Sequence, residues 1–151
     1  MITRWALRAG AAAAVLAVSG CSSPPPEYQP PPGALTAGTA QVTVNGQDVG
    51  TTDSVQCSSA GTLMTINTGA PDNPDAPGIS ALVASEDELV VQEVGIRDLG
   101  GFTGSFNAGL GGEAAVTMTG RTYAITGTAD GFETANPSFR KSGTFDIKVA
   151  C

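Results

Sequence analysis

The chain has 151 residues, of which seven are Lys or Arg, fourteen are Asp or Glu and none is His. A chain of this length is typical of a single domain. The absence of histidine excludes catalytic triads and dyads that use an imidazole base, and it excludes histidine-rich metal sites. The net charge of −7 disfavours nucleic acid as a partner, because the phosphate backbone repels an acidic surface.

The first residues have the pattern of an export signal. Two arginines precede an uncharged run at 9–18, and small residues then lead to Cys21. The run is shorter than the roughly 20 apolar residues that a membrane-spanning helix needs. The Ser-Gly-Cys end resembles a lipobox, in which a diacylglyceryl group is attached to the thiol and the signal is cut before the cysteine. We therefore predict a signal peptide at 1–20 and lipidation of Cys21; the alternative is an ordinary signal with an incidental cysteine.

Removal of the signal leaves five basic and fourteen acidic residues, a net charge of −9. Such a surface is repelled by anionic headgroups, so the membrane is a partner through the N-terminal lipid and not through a basic patch. Two or more acyl chains hold a protein stably on a membrane, whereas one alone is marginal.

The remaining two cysteines form the natural disulfide pair. If Cys21 is acylated, Cys57 and Cys151 are left, and an exported chain meets an oxidising compartment. A bond between them closes a loop of about 95 residues, worth up to about 4–5 kcal/mol on the chain-entropy model.

A Pro-rich segment follows the lipidation site. Six prolines lie in two runs between residues 24 and 32. Such segments favour extended polyproline II at about 3.1 Å per residue, so the stretch at 22–39 could span roughly 50 Å. We interpret 21–39 as the acylated cysteine and a tether; a proline-motif ligand for a recognition domain is the alternative.

The domain at 40–151 has the pattern of short β-strands. Residues 40–44 alternate in polarity, and Asn45-Gly46 is a strong hairpin-turn signal. No amphipathic helix is found there. We predict an all-β fold, an antiparallel sandwich or small barrel of about eight strands closed by one disulfide. The further strands are placed around Val55 and Cys57 and at 62–68, 79–84, 89–94, 114–119, 122–126 and 144–151.

The last strand has the clearest alternation. Phe145, Ile147, Val149 and Cys151 share one face, which predicts that Cys151 points inward. Cys57 is in phase with Val55 and is likewise expected on the buried face.

The acidic residues do not make a convincing reaction centre. Residues 86–88 are adjacent carboxylates in a predicted turn, which is typical of a solvated loop. Asp72, Asn73 and Asp75 lie in a loop broken by prolines, without the spacing or distal Glu of an EF-hand. We predict no enzyme activity, no metal and no cofactor.

The Gly-rich segment at 100–112 has two interpretations. It lacks the Gly-Lys-Ser/Thr of a phosphate loop. Phe102, Phe106 and Leu110 could line an entrance for an apolar ligand. The alternative is a mobile loop, or a glycine-rich strand whose aromatic rings fill the core.

Several segments resemble the mycobacterial nineteen-kilodalton lipoprotein antigen family (LpqH type). They are VTVNG at 42–46, VQC at 55–57, YAITGTA at 123–129, ANP at 135–137 and FDIKVAC at 145–151. The resemblance implies a non-enzymatic surface antigen whose acyl group, on Cys21, is sensed by host Toll-like receptor 2. The chain departs from the family in lacking a Thr/Ser-rich stretch after the cysteine.

We therefore predict an acylated cell-envelope lipoprotein, anchored to the cell membrane by lipid and facing the exterior or the envelope. The alternative is an envelope carrier or binding module for a lipid or another apolar ligand. The sequence leaves the oligomeric state open.

Overall fold

The computed structural model describes residues 23–151, and these form an all-β domain. The predicted signal peptide and Cys21 lie outside the described residues. Within 23–151 there are ten strands, so the predicted fold class is confirmed with a somewhat higher strand count. The strands are β1 Ala40–Val44, β2 Gln47–Thr52, β3 Val55–Ala60, β4 Leu63–Thr68, β5 Gly78–Ala84, β6 Val90–Leu99, β7 Phe102–Asn107, β8 Ala114–Thr119, β9 Thr122–Glu133 and β10 Arg140–Ala150.

The strands form one antiparallel sheet that curls into a nearly closed barrel. Their order is β2-β1-β10-β9-β7-β6-β5-β4-β3, and β8 pairs with β9 off this path. One edge of the long strand β9 is shared: its residues 122–127 pair with β8 and its residues 130–133 pair with β7. Along this edge of β9, the neighbouring strand therefore changes from β8 to β7 between residues 127 and 130.

The first hairpin turns at Asn45 and Gly46, as the sequence predicts. Both residues have positive φ angles, 53° and 76°, which is the conformation of a type I′ turn. The strand that follows is β2, which the sequence pattern does not indicate; the strand predicted around Val55 is present as β3. β2 contributes a single aliphatic side chain, Val49, to the packing, and this is too little alternation for a sequence pattern to reveal.

The core consists of inward-facing aliphatic and aromatic side chains from both halves of the sheet. Phe145, Ile147 and Val149 of β10 are buried, as their alternation predicts. Phe102 is the largest side chain that is completely buried. A Cβ atom at either Gly104 or Gly143 would lie 2.8 Å from its ring, so these glycines make room for the ring against the strands.

Residues 23–39 contain no strand, but from about Tyr28 onward they pack on the barrel. The ring of Tyr28 lies 4.7 Å from the Arg121 guanidinium carbon, and the backbone N–H of Leu35 donates to Thr122 Oγ1 at 2.9 Å. Thr122 and Ala150 face outward on paired positions, yet they are only 3% and 0% exposed. The segment covers them, so packing against the barrel extends back along the chain to about Tyr28. The freely extended part of the predicted 50 Å tether is correspondingly shorter.

Candidate functional site

The disulfide joins β3 to the end of β10 and is the predicted Cys57–Cys151 pair. The two Cα atoms are 5.9 Å apart and the residues are separated by 94 positions in the sequence. β3 is an edge strand whose only hydrogen-bonded neighbour is β4. Backbone hydrogen bonds do not join β3 to β10, so the barrel is not closed by them at this point. The disulfide instead links these two strands covalently.

Cys57 lies on the exposed surface, and its predicted place on the buried face was wrong. β3 is covered on neither face beyond its first two residues, and all side chains from Cys57 to Ala60 are exposed. Cys151 is half-buried and packs against the core, in keeping with the alternation of β10. A disulfide between two strands requires only that the two sulfur atoms meet, and here they meet at the rim of the barrel.

The disulfide, the docked N-terminal segment and the β8–β9 turn lie at one end of the barrel. The N–H of Cys151 donates to the carbonyl of Arg121 at 3.1 Å, and the N–H of Gly38 donates to the carbonyl of Ala150 at 2.8 Å. This end is where the chain arrives from the predicted lipidation site. Composition suggested only a spacer here; the signal that could have revealed docking is the presence of Tyr28 and Leu35 among prolines.

Of the three residues predicted to form an apolar entrance, Phe106 lines the groove described below, whereas Phe102 and Leu110 do not. Phe102 and Phe106 lie on β7 with 0% and 7% of their surface exposed, whereas Leu110 lies in the following loop and is 82% exposed. The three side chains therefore do not share one entrance in this structure. The alternative interpretation, a glycine-rich strand whose aromatic rings fill the core, is right.

An open surface groove of about 630 Å³ lies where β8 diverges from β6 and β7. Its floor includes Phe106, Val91 and Ala114, and Glu113 is among the lining residues. The groove is open to solvent and is not enclosed within the barrel. A carrier function for an apolar ligand stays a prediction, and this groove is its one structural support.

The acidic loops are solvated, as predicted. Residues 86–88 are exposed, and the side chain of Asn73 accepts a hydrogen bond from the N–H of Asp75 at 3.1 Å, which shapes the loop that contains both. Across residues 23–151, no three His, Cys, Asp or Glu side chains gather where they could hold a metal ion. The same part of the chain has no helix of the length and apolarity that crossing a membrane requires.

The β9–β10 hairpin carries an exposed ion pair at the opposite end of the barrel. Lys141 hydrogen-bonds Glu133, and this bond together with the ammonium charge lowers the pKa of the Glu133 carboxyl. A pair that is so exposed is screened by water and contributes little to stability. We assign it no chemical role.

Comparison with known proteins places this barrel in a family. A family model described as Mycobacterium 19 kDa lipoprotein antigen matches residues 33–151. The chain belongs to this family. The match begins within the segment that docks on the barrel and ends at Cys151, so it includes both disulfide cysteines.

Individual members of the family are similar over nearly the whole chain. Lipoprotein LpqH of Mycobacterium tuberculosis is 34% identical over 155 aligned positions, which cover 95% of this chain and 94% of the relative. A protein named putative lipoprotein from Mycobacterium indicus pranii is 33% identical over 144 positions, with 95% of each chain covered. LpqH of Mycobacterium avium is 35% identical over 76% of this chain. The chain is thus a member of a family whose proteins are named lipoproteins and lipoprotein antigens.

Proposed function

We propose that this protein is a non-enzymatic, acylated cell-envelope lipoprotein and surface antigen, held in the membrane by lipid on Cys21. The observation that carries the proposal is the match to lipoprotein antigens, which extends through the barrel to Cys151. The relatives are named as lipoproteins, and the chain has a cysteine in a lipobox-like position after a signal-like run.

The docking of Tyr28 on the barrel limits how far the lipidated residue can lie from the barrel. Seven positions separate Cys21 from Tyr28, which packs on Arg121. A fully extended chain spans at most about 3.6 Å per residue, so the lipidated residue is within about 25 Å of the barrel. The end with the disulfide and the β8–β9 turn then faces the bilayer, and the end with the β9–β10 hairpin faces the exterior.

The lipid also provides the proposed contact with the host. Toll-like receptor 2 is expected to recognise the acyl chains on Cys21, as the family resemblance implies, and the barrel serves as the antigenic surface. Under this proposal, the barrel itself has no need of a cleft or a charged site.

Replacement of Cys21 with Ala is expected to abolish lipidation, since only the thiol can accept the diacylglyceryl group. In a mycobacterial host fed with an alkyne fatty acid, the wild-type protein should be labelled and the Cys21→Ala protein should carry no label. Signalling through Toll-like receptor 2 in reporter cells should be lost with the label.

Ser23→Ala is the matched control, because it changes a neighbouring small residue and keeps the thiol. It should be labelled like the wild type. Fatty-acid label that persists on Cys21→Ala would exclude this cysteine as the lipid attachment site.

A further inference from the structure

One edge of β8 is hydrogen-bonded to no other strand of residues 23–151, although β6 lies close to β8 across the groove described above. Within residues 23–151 β8 pairs with β9 only. The N–H of Thr128 on β9 donates to the carbonyl of Glu113 at 2.9 Å, so the residue before β8 directs its carbonyl toward β9. Backbone groups alternate in direction along an antiparallel ladder. The N–H and C=O groups of Ala114, Val116 and Met118 therefore point to the open side.

The open edge lacks the usual protection against pairing. Ala114–Thr119 reads AAVTMT, with no charge and no proline, and its register with β9 is uninterrupted. Proteins normally block such edges with charges, prolines or bulges. The two edge strands of the main sheet, in contrast, are protected. β2 carries Asp48 and a register shift against β1, and β3 is held by the disulfide at Cys57.

Charges of opposite sign flank the uncharged strand. Glu113 precedes β8 and Arg121 follows it, eight positions later. If a second copy of β8 runs antiparallel about a two-fold axis at Thr117, Glu113 of each copy lies beside the turn at residues 120–121 of the other, within reach of the long Arg121 side chain. The stacked ring of Tyr28 already restrains this guanidinium. An interface with two-fold symmetry contains the charge pair twice.

In the same register, the exposed apolar side chain of Met118 gains a partner across the interface. Met118 is in phase with the half-buried Ala114 and Val116, yet it is 46% exposed. About the axis at Thr117, Met118 of one copy lies across from Val116 of the other. Their backbone groups face the open edge, so this pairing supplies about four hydrogen bonds between the copies.

We propose that a second copy of this chain pairs with the free edge of β8, antiparallel about Thr117, and that Glu113 and Arg121 select the register. An extended peptide from another protein would also fit an open edge. The reciprocal charges favour a second copy, because they complement each other when the strand pairs with itself and not with an arbitrary sequence.

Cysteine cross-linking tests the register in the processed, membrane-extracted protein in detergent. Thr117 meets itself across the axis at a closely spaced, non-hydrogen-bonded position, so Thr117→Cys should give a disulfide-linked dimer under mild oxidation. The control is Thr144→Cys, another exposed threonine, on a strand whose two edges are both paired. We expect at least tenfold more dimer from position 117 than from position 144.

Exchanging the charges at positions 113 and 121 in the Thr117→Cys background tests whether these two residues select the register. Glu113→Arg or Arg121→Glu alone turns both attractive contacts into repulsive ones and should lower the dimer yield about tenfold. The double exchange restores opposite charges and should restore the yield. Sedimentation of the unsubstituted protein should show its mass rising toward twice the monomer with concentration.

Three results would overturn the proposal. They are equal cross-linking at positions 117 and 144, a double exchange no better than the single ones, and a cross-link at 117 to a different polypeptide. A sedimenting mass that stays at the monomer value across the concentration range would count equally against it.

Discussion

Replacing both Cys57 and Cys151 with Ser is expected to lower the free energy of unfolding by about 4 kcal/mol. The reason is that the bond closes a loop across 94 positions, and a loop of this size restricts the unfolded chain strongly. The folded structure adds to this effect, because β4 is the one strand of residues 23–151 that is hydrogen-bonded to β3. Without the bond, β3 should open before the rest of the barrel.

Urea unfolding followed by far-ultraviolet circular dichroism measures the change. Tryptophan fluorescence is unsuitable, since Trp5 lies in the predicted signal peptide. The double substitution avoids a free thiol, and Ser58→Ala on the exposed surface of β3 should stay within about 0.5 kcal/mol of the wild type. A loss below about 1 kcal/mol for the double variant would contradict the role given to the bond.

Phe102→Ala is expected to cost about 3–5 kcal/mol, as is typical of a large aromatic side chain removed from a core. The ring is completely buried and lies against Gly104 and Gly143, whose missing side chains leave it room. The neighbouring backbone can collapse only partly into the space, so most of the cavity should persist.

Leu110→Ala provides the comparison within the same Gly-rich segment. Leu110 is exposed, so its truncation should change stability by no more than about 0.5 kcal/mol. Both are measured by urea unfolding of proteins with an intact disulfide. Similar small effects at the two positions would mean that Phe102 lies at a mobile entrance, contrary to the fold described above.

Much of the fold could be predicted from local pattern. β10 alternates because one of its faces is buried from Gly143 to Val149, and Asn45-Gly46 requires the left-handed conformations that a tight hairpin uses. β2 was missed because an edge strand with few apolar residues has almost no periodicity. The exposed position of Cys57 likewise depends on β3 being an edge, which no local pattern reports.

The candidate sites likewise include some features that the sequence predicts and others that it does not. Counting cysteines is enough to pair Cys57 with Cys151 once Cys21 is predicted to carry the lipid, and the structure contains this pair. The place of Phe102 could not be decided, because its fit depends on Gly143, a residue far away in the sequence. Docking of Tyr28 on Arg121 and the open edge of β8 are likewise tertiary features that composition does not encode.

The intact mass of the native protein extracted from mycobacterial membranes tests the central claim most directly. The account predicts the mass of residues 21–151, increased by a diacylglyceryl group and any further acyl chain, and reduced by the two hydrogens lost on forming the disulfide. Alkylation should modify two cysteines, and only after reduction. A mass that corresponds to the uncleaved chain, or to residues 21–151 without lipid, would contradict the account.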